Sequence, residues 1–125
     1  MTKHLHLISR WLIKEEFKSD AMEGLRNFEN MAREEKGTLL YFIHTQLWDT
    51  DLPSNPTPSK NEVLFFEIYQ DKDAFKIHVD RQQRFMKKNG ICDYFIKSSE
   101  ESCSTTSMVE FLDYNRGFIK PNLIQ

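Results

Sequence analysis

Apolar residues cluster along short segments of the chain in the way that predicts β-strands. The first segment, from His4 to Ile13, carries branched and aromatic residues at both odd and even positions. Thr38 to Trp48 and Glu62 to Tyr69 have the same character, with Glu67 as a charge in the middle of the third. Apolar residues at both parities indicate strands that are covered on both faces. A last strand is predicted from Thr106 to Leu112.

Two further segments have the spacing of three and four residues that is typical of an amphipathic helix. The first runs from Glu15 to Lys36, and Gly37 is expected to end it in a left-handed conformation. Asp71 is placed to cap a second helix, which is predicted to break near Asp80. The inward face of the second helix would carry Ala74, Phe75, His78, Phe85 and Met86.

The element order β-α-β-β-α-β predicts a ferredoxin-like split βαβ fold of the α+β class. An antiparallel sheet in this fold carries both helices on one face. Because the strands are apolar at both parities, the other face needs a cover that one chain lacks, and a second copy is the simplest one. The sequence therefore predicts a homodimer. Residues 1–113 would form its single domain, and residues 114–125 a C-terminal tail.

Length, charge and cysteine content exclude several classes of protein. The chain has 125 residues and a formal net charge of −2 at pH 7, which suits one domain and lacks the basic surface that nucleic acids require. No segment has the length and hydrophobicity of a signal peptide or a membrane span, so a cytoplasmic protein is expected. Cys92 and Cys103 form no CxxC pair, so two reduced thiols are expected.

Residues 65–85 carry an ordered set of polar and aromatic positions. A glutamate and an aromatic residue close the third strand, aspartates occupy the turn, and an alanine and a histidine follow on the helix. These residues are Glu67, Tyr69, Asp71, Asp73, Ala74 and His78. Together with Gly37, Leu39 or Leu40, and Tyr41 at the start of the second strand, the set resembles the antibiotic biosynthesis monooxygenase family, in a quinol-monooxygenase-like form. The resemblance covers about residues 4–112.

The resemblance implies a dimeric α+β barrel with a ligand pocket between the sheet and the helices. The family contains cofactor-independent monooxygenases of quinols and anthrone-like aromatics, haem-degrading oxygenases and a sugar-phosphate isomerase. Its haem-degrading branch has an Asn before the Arg of strand one, and a Trp and then a His on helix two. Here Ser9 precedes Arg10, and His78 and Lys88 stand at the other two places. Haem degradation is therefore not expected, and neither is another cofactor.

His78 is the candidate catalytic residue, because an imidazole on the apolar face of a helix can accept the hydroxyl proton of a phenolic substrate. The alternative is a core histidine that hydrogen-bonds to the third strand, for example to Glu67. Glu67 is in turn either a structural ion-pair partner or a pKa-shifted partner of His78.

Several residues are candidate contacts for a planar aromatic substrate, with plain core packing as the alternative. They are Ser9, Trp11, Tyr41, Phe66, Tyr69 and Phe85, and Trp48 extends the same aromatic set. Arg10 could orient an anionic oxygen or bridge the dimer. His4 and His6 share a strand face and could bind a metal with His44, but no spacing enforces a third ligand, so no metal is expected. The basic row Arg81, Arg84, Lys87 and Lys88 is either an attractor for phosphate or a solvated helix face.

The leading interpretation is a cofactor-independent monooxygenase that oxidises a small aromatic or quinol-type substrate with O2, with His78 as base. One alternative is an isomerase or lyase of a small phosphorylated carbonyl compound, which the basic row would bind. Another is a dimeric ligand-binding protein without catalytic activity. No nucleic acid and no membrane are expected as partners.

Overall fold

The strands and helices of the structure, a computed structural model, follow the predicted order. It describes residues 3–47, 50–55, 59–96, 106–121 and 123, so Trp48 and Cys103 lie outside the described residues. Within these residues the elements are β1 (Leu5–Leu12), α1 (Lys18–Arg33), β2 (Thr38–Thr45), β3 (Glu62–Tyr69), α2 (Lys72–Lys88) and β4 (Thr106–Leu112). Short 3-10 helices precede α1 and follow α2 at Glu15–Phe17 and Ile91–Tyr94. The ferredoxin-like α+β fold is confirmed.

The sheet is antiparallel with the strand order β2-β3-β1-β4. Ser9 pairs with Phe65, and Phe65 pairs with Ile43, so these side chains share the face that carries the helices. Burial alternates along all of β3 and along β1 from His6 onward, and in these stretches the inward positions are the buried ones. This alternation decides which side chains can meet a residue of α1 or α2.

Aromatic rings fill the space between the sheet and the helices. The indole of Trp11 lies 4.9 to 5.6 Å, centroid to centroid, from the rings of Phe28, Phe65 and Phe95. Ala21, Leu25 and Met86 complete this cluster from the two helices. Burial of several large rings contributes about 2 kcal/mol each and dominates the stability of a core of this size.

Gly37 is needed for space and not for a left-handed turn. Helix α1 ends at Arg33, and its cap, Glu34, has right-handed helical angles. Among the described glycines only Gly90, after α2, has a positive φ. A Cβ atom at Gly37 would lie 2.5 Å from the Cβ of Ala74 in the first turn of α2. The expected left-handed cap was wrong, because the constraint on Gly37 comes from a helix that begins 35 residues later in the chain.

Helix α2 begins where the sequence predicts and runs through the expected break. The Asp71 carboxylate accepts a hydrogen bond from the Ala74 backbone N–H at 2.8 Å, as predicted for a cap. The predicted break near Asp80 was wrong, since the helix is continuous from Lys72 to Lys88. No Gly or Pro lies within it, and Asp80 instead pairs with Arg84 one turn later at 3.0 Å.

Cys92, in the 3-10 helix after α2, is disulfide-bonded. The expectation of reduced thiols was therefore wrong for this residue. Sequence spacing alone gives no measure of how the folded chain brings sulfur atoms together.

The second face of the sheet carries a layer of partly exposed apolar side chains. They are Ile8, Leu40, Phe42, Leu64, Phe66 and Ile68. We call this layer the outer face. Residues 113–121, which follow β4, contain no helix or strand, although the Tyr114 ring stacks on the ring of His6 with the centroids 5.3 Å apart. Phe118 in the same tail is 85% exposed. No helix of the described ranges has the length and hydrophobicity needed to cross a membrane.

Candidate active site

His78 lies on the sheet-facing side of α2, and 2% of its side chain is exposed. The rings of Tyr41 and Tyr69 each lie 5.3 Å from the imidazole, centroid to centroid. Its position on the apolar side of the helix follows from the spacing that the sequence shows. The imidazole is therefore part of the layer between sheet and helices, as predicted.

One nitrogen of His78 is held by a carboxylate from the end of the other helix. Nδ1 of His78 lies 2.7 Å from Oε1 of Glu35, whose side chain is 5% exposed. The same oxygen accepts a hydrogen bond from the Thr38 hydroxyl at 2.7 Å, and Oε2 accepts one from Arg81 at 2.9 Å. Glu35 thus joins the segment after α1 to β2 and to α2.

The other nitrogen of His78 is directed toward the sheet. Nε2 lies 3.9 Å from Oε1 of Glu67, an inward position of β3. Glu67 accepts hydrogen bonds from the Ser9 hydroxyl at 3.2 Å and from the Tyr69 hydroxyl. A buried carboxylate needs such donors, because removing its charge from water is costly.

The two carboxylates beside His78 have pKa values shifted in opposite directions. Burial raises the pKa of Glu67, and the hydrogen bonds from Tyr69 and Ser9 offset this only in part. Burial also acts to raise the pKa of Glu35, but the hydrogen bonds from His78 and Thr38 and the charges of His78 and Arg81 outweigh it, so the pKa is lowered. Glu35 is therefore ionised at neutral pH. Two acids in one site with pKa values moved apart are typical of acid–base chemistry.

The tyrosine hydroxyls of the site stay protonated. Burial and the charge of Glu67 raise the pKa of Tyr41 and that of Tyr69 above the usual range. Tyr69 donates to Glu67, and Tyr41 accepts a hydrogen bond from Gln82 at 3.3 Å. Both hydroxyls therefore act as neutral hydrogen-bonding groups.

The structure brings together five of the candidate residues, namely Ser9, Tyr41, Glu67, Tyr69 and His78. Two others, Trp11 and Phe85, lie in the adjoining aromatic core, where Phe85 packs on Phe28 with centroids 6.0 Å apart. Tyr41 joins the two groups, since its ring also lies 5.7 Å from Phe65.

Phe66 and Arg10 are not part of this group. Both belong to the outer face by strand alternation, and Arg10 forms an ion pair with Glu62 at 2.8 Å. His4, His6 and His44 form no joint site either. Within the described ranges, no group of three or more His, Cys, Asp or Glu side chains is arranged to hold a metal ion.

Trp11 has a buried hydrogen-bond donor without an acceptor. Its side chain is 4% exposed, and the indole Nε1 has no hydrogen-bond partner among the described atoms. An unpaired buried donor costs about 1–3 kcal/mol. Such a group is a candidate contact for a ligand oxygen.

Two adjoining clefts of about 460 and 330 Å³ lie between α1 and β2, and we call them together the α1–β2 groove. Tyr41 lines both, and Thr38 lines the smaller one. His78 does not line the groove, but Tyr41 contacts its ring and Thr38 contacts its partner Glu35. A cleft of about 690 Å³ at the start of α2 lies elsewhere, among Lys3, Lys76 and Phe111.

Sequence reasoning missed Glu35 and the role of Arg81. The apolar face of α1 advances through Phe28 and Ala32, and the next step of three residues reaches Glu35. A carboxylate in line with this apolar face is a sequence signal for a buried charged group. Arg81 is expected in a basic row that either attracts phosphate or forms a solvated helix face, yet it lies one turn after His78 and its side chain is 37% exposed. Its guanidinium group is bound to Glu35.

Comparisons with solved structures support the fold at low sequence identity. An antibiotic biosynthesis monooxygenase structure matches with a TM-score of 0.65 and 18% identity, covering 90% of this chain and 99% of that one. SnoaB, a cofactor-independent oxygenase from Streptomyces nogalater, was solved as a mutant; it matches with a TM-score of 0.62 and 8% identity, covering 95% of this chain and all of its own. Rv0793 from Mycobacterium tuberculosis matches with a TM-score of 0.64 and 15% identity, covering 92% of this chain and 98% of that one. No protein-family model and no curated protein matches the chain.

The chain therefore has the ferredoxin-like α+β fold of antibiotic biosynthesis monooxygenase-like proteins. A shared fold at these identities does not carry a reaction with it.

Proposed function

We propose that the protein is a cofactor-independent monooxygenase that oxidises a small aromatic or quinol-type substrate with O2. The observation that carries the proposal is the oriented imidazole of His78. Its Nδ1 is fixed by Glu35 at 2.7 Å, and its Nε2 is directed toward Glu67 at 3.9 Å. A histidine oriented by a carboxylate in this way is the usual arrangement of a general base.

In the proposed reaction the phenolic hydroxyl of the substrate gives its proton to Nε2 of His78, directly or through one water. The resulting anion supplies electrons to O2. The substrate gains one oxygen atom and loses two hydrogens, and the other oxygen atom leaves as water with those hydrogens. The substrate thus supplies all four electrons, so no further reductant or cofactor is needed. The protein contributes orientation, one base and a site poor in water.

The side chains around His78 and those of the adjoining aromatic core suit a planar substrate with one or two oxygens. Tyr41 and Phe85 offer ring faces, and the free N–H of Trp11 is a donor for a substrate oxygen. The α1–β2 groove supports access, because Tyr41 and Thr38 line it and also contact the His78 network. The groove has the volume of a small-ligand site.

The test is quinol-dependent oxygen uptake by purified His78→Ala protein. We expect a loss of at least about tenfold with the fold retained by circular dichroism, since a general base contributes this much or more. The matched control is His4→Ala, because His4 is exposed and its hydrogen bond to the Gln70 carbonyl oxygen, at 3.3 Å, lies outside the site. An unchanged rate in His78→Ala would remove His78 from the mechanism.

A second candidate function is a ligand-binding protein without catalytic activity. The observation that favours it is burial, since His78 and Glu67 are 2% and 5% exposed and already have partners. A quinol that raises the melting temperature without being consumed would select this function. The isomerase or lyase alternative is weakened, because Arg81, needed there for phosphate, is bound to Glu35.

The proposed protein acts as a homodimer. The apolar outer face supports this assembly, because a sheet face that carries Leu64, Phe66 and Ile68 is unfavourable in contact with water and a second copy would cover it. Residues 1–113 would form the domain and residues 114–125 the tail. A cytoplasmic location is part of the proposal, and the disulfide bond of Cys92 counts against it.

A further inference from the structure

We infer that Glu35 is the positioning residue of the site, which keeps the ring hydrogen of His78 on Nδ1 and so leaves Nε2 as the basic nitrogen. This inference rests on the proposed function for its catalytic meaning. The contacts that carry it are Glu35 Oε1 to His78 Nδ1 at 2.7 Å and the two hydrogen bonds that hold Glu35 itself.

The hydrogen position follows from the inventory of donors and acceptors. Ionised Glu35 can only accept hydrogen bonds, so Nδ1 of His78 must donate at this distance. The neutral imidazole has one ring hydrogen, and placing it on Nδ1 leaves a lone pair on Nε2. Burial of both side chains prevents water from competing for either nitrogen.

Glu35 is itself held in one orientation. Arg81 donates to Oε2, and the Thr38 hydroxyl donates to Oε1 beside the histidine. The carboxylate plane is therefore set from α2 and from β2 at the same time. The hydrogen bond from Nδ1 to this fixed carboxylate also fixes the orientation of the His78 ring, as carboxylates do for functional histidines in other proteins.

Glu35→Gln gives a specific expectation, because an amide has one acceptor oxygen where the carboxylate has two. Arg81 has only donors, so it takes the amide oxygen. The amide NH2 then faces Nδ1 of His78 and donates to it. The ring hydrogen should move to Nε2, which removes the basic lone pair from that nitrogen.

The experiment uses the full chain labelled with 15N and records correlations between the ring nitrogens and carbon-bound hydrogens of His78 at a pH where the ring is neutral. Unaltered protein should carry the hydrogen on Nδ1, and Glu35→Gln should carry it on Nε2. The matched control is Glu34→Gln, which makes the same change one residue away, on a side chain that is 72% exposed and lies 4.0 Å from Arg81, against 2.9 Å for Glu35. It should leave the hydrogen on Nδ1.

Quinol oxidation is the second readout. Glu35→Gln should lower kcat about 10- to 100-fold, as loss of a supporting carboxylate does elsewhere, with KM within about twofold because Glu35 does not touch the substrate. Thr38→Val removes one hydrogen bond without changing the charge, and should give a smaller loss of kcat. It keeps the inference testable if Glu35→Gln does not fold.

A hydrogen on Nε2 in the unaltered protein, or the same hydrogen position in Glu35→Gln, would overturn the inference. The two proposals fail separately. If the unaltered protein oxidises no quinol, the proposed function falls, while the nitrogen spectrum still decides whether Glu35 places the ring hydrogen of His78.

Discussion

Glu35 and His78 are 43 residues apart in the chain, and 2.7 Å separate Oε1 of the first from Nδ1 of the second. Glu35 follows α1 and His78 lies in α2, so the contact exists only when both helices pack on the same face of the sheet. The arrangement of the candidate site is thus a direct result of the fold. It also makes Glu35 important for stability.

Glu35→Gln should lower the free energy of unfolding at pH 7 by about 3 kcal/mol, because it replaces a buried carboxylate that accepts hydrogen bonds from His78, Thr38 and Arg81. The lowered pKa of Glu35 sets the sign of the pH dependence. Its contribution is present above the ordinary value of 4.5 and is lost as the pH falls through the lower folded-state value. Urea unfolding from pH 7 to pH 3 measures it. A difference that stays constant on acidification would contradict the prediction, and Glu34→Gln should show almost none.

Glu67→Gln should change the pH dependence of stability in the opposite direction. The pKa of Glu67 is raised by burial, so folding favours its protonated form, and this contribution is lost as the pH rises from the unfolded-state value through the folded-state value. A neutral amide avoids that loss. Relative to the unaltered protein, Glu67→Gln should therefore gain stability from pH 4 to pH 7 in chemical unfolding. A relative loss over this range would show that Glu67 is stabilised as an anion.

Trp11→Phe should weaken quinol binding with little change in folding. It removes a buried donor that has no acceptor among the described residues, and keeps an aromatic ring in the core. One lost hydrogen bond corresponds to an increase in KM of up to about tenfold. Phe28→Leu is the control, since it disturbs the packing on Trp11 but removes no donor. It should lower the melting temperature and leave KM unchanged. A Trp11→Phe variant with a lower melting temperature and an unchanged KM would show that Trp11 serves packing alone.

Gly37→Ala should destabilise the fold by about 1–3 kcal/mol through overpacking. The new Cβ would lie 2.5 Å from the Cβ of Ala74, which the backbone of α2 holds in place. Adding Ala74→Gly should restore part of the loss, because it removes the opposing carbon. Gly117→Ala is the control, since the nearest atom lies 3.8 Å from its added carbon. Thermal unfolding measures all of these variants, and an additive double variant would contradict the steric explanation.

Phe66→Glu should convert the proposed dimer into monomers in sedimentation equilibrium. Phe66 lies on the outer face opposite Ile8, where a charge would be buried between two sheets. Ile77→Glu introduces the same charge on α2, at a side chain that is 58% exposed, and should leave the assembly unchanged. A monomeric unaltered protein would refute the face-to-face dimer directly.

The strands could be predicted from the sequence because their signal is local. The bounds of β3 and β4 agree with the prediction at both ends, and β1 is one residue shorter at each end. Bulky residues at both parities decide a strand without knowledge of its partners. The break expected at Asp80 failed because one acidic residue does not end a helix that lacks Gly and Pro.

The candidate site could be predicted only in part. The position of His78 on the inner side of α2 follows from helical periodicity, and that of Glu67 from strand alternation. The pairing of His78 with Glu35 does not follow from either, because it depends on where the end of α1 meets the second turn of α2. The same holds for Arg81, whose partner lies 46 residues earlier.

The enclosure of His78 has a kinetic consequence. A reagent that acylates imidazoles will modify the exposed rings of His4 and His44 long before it reaches His78. For the proposed reaction at Nε2, a substrate must therefore displace side chains that cover the imidazole, and the frequency of that opening would set the upper limit on the rate.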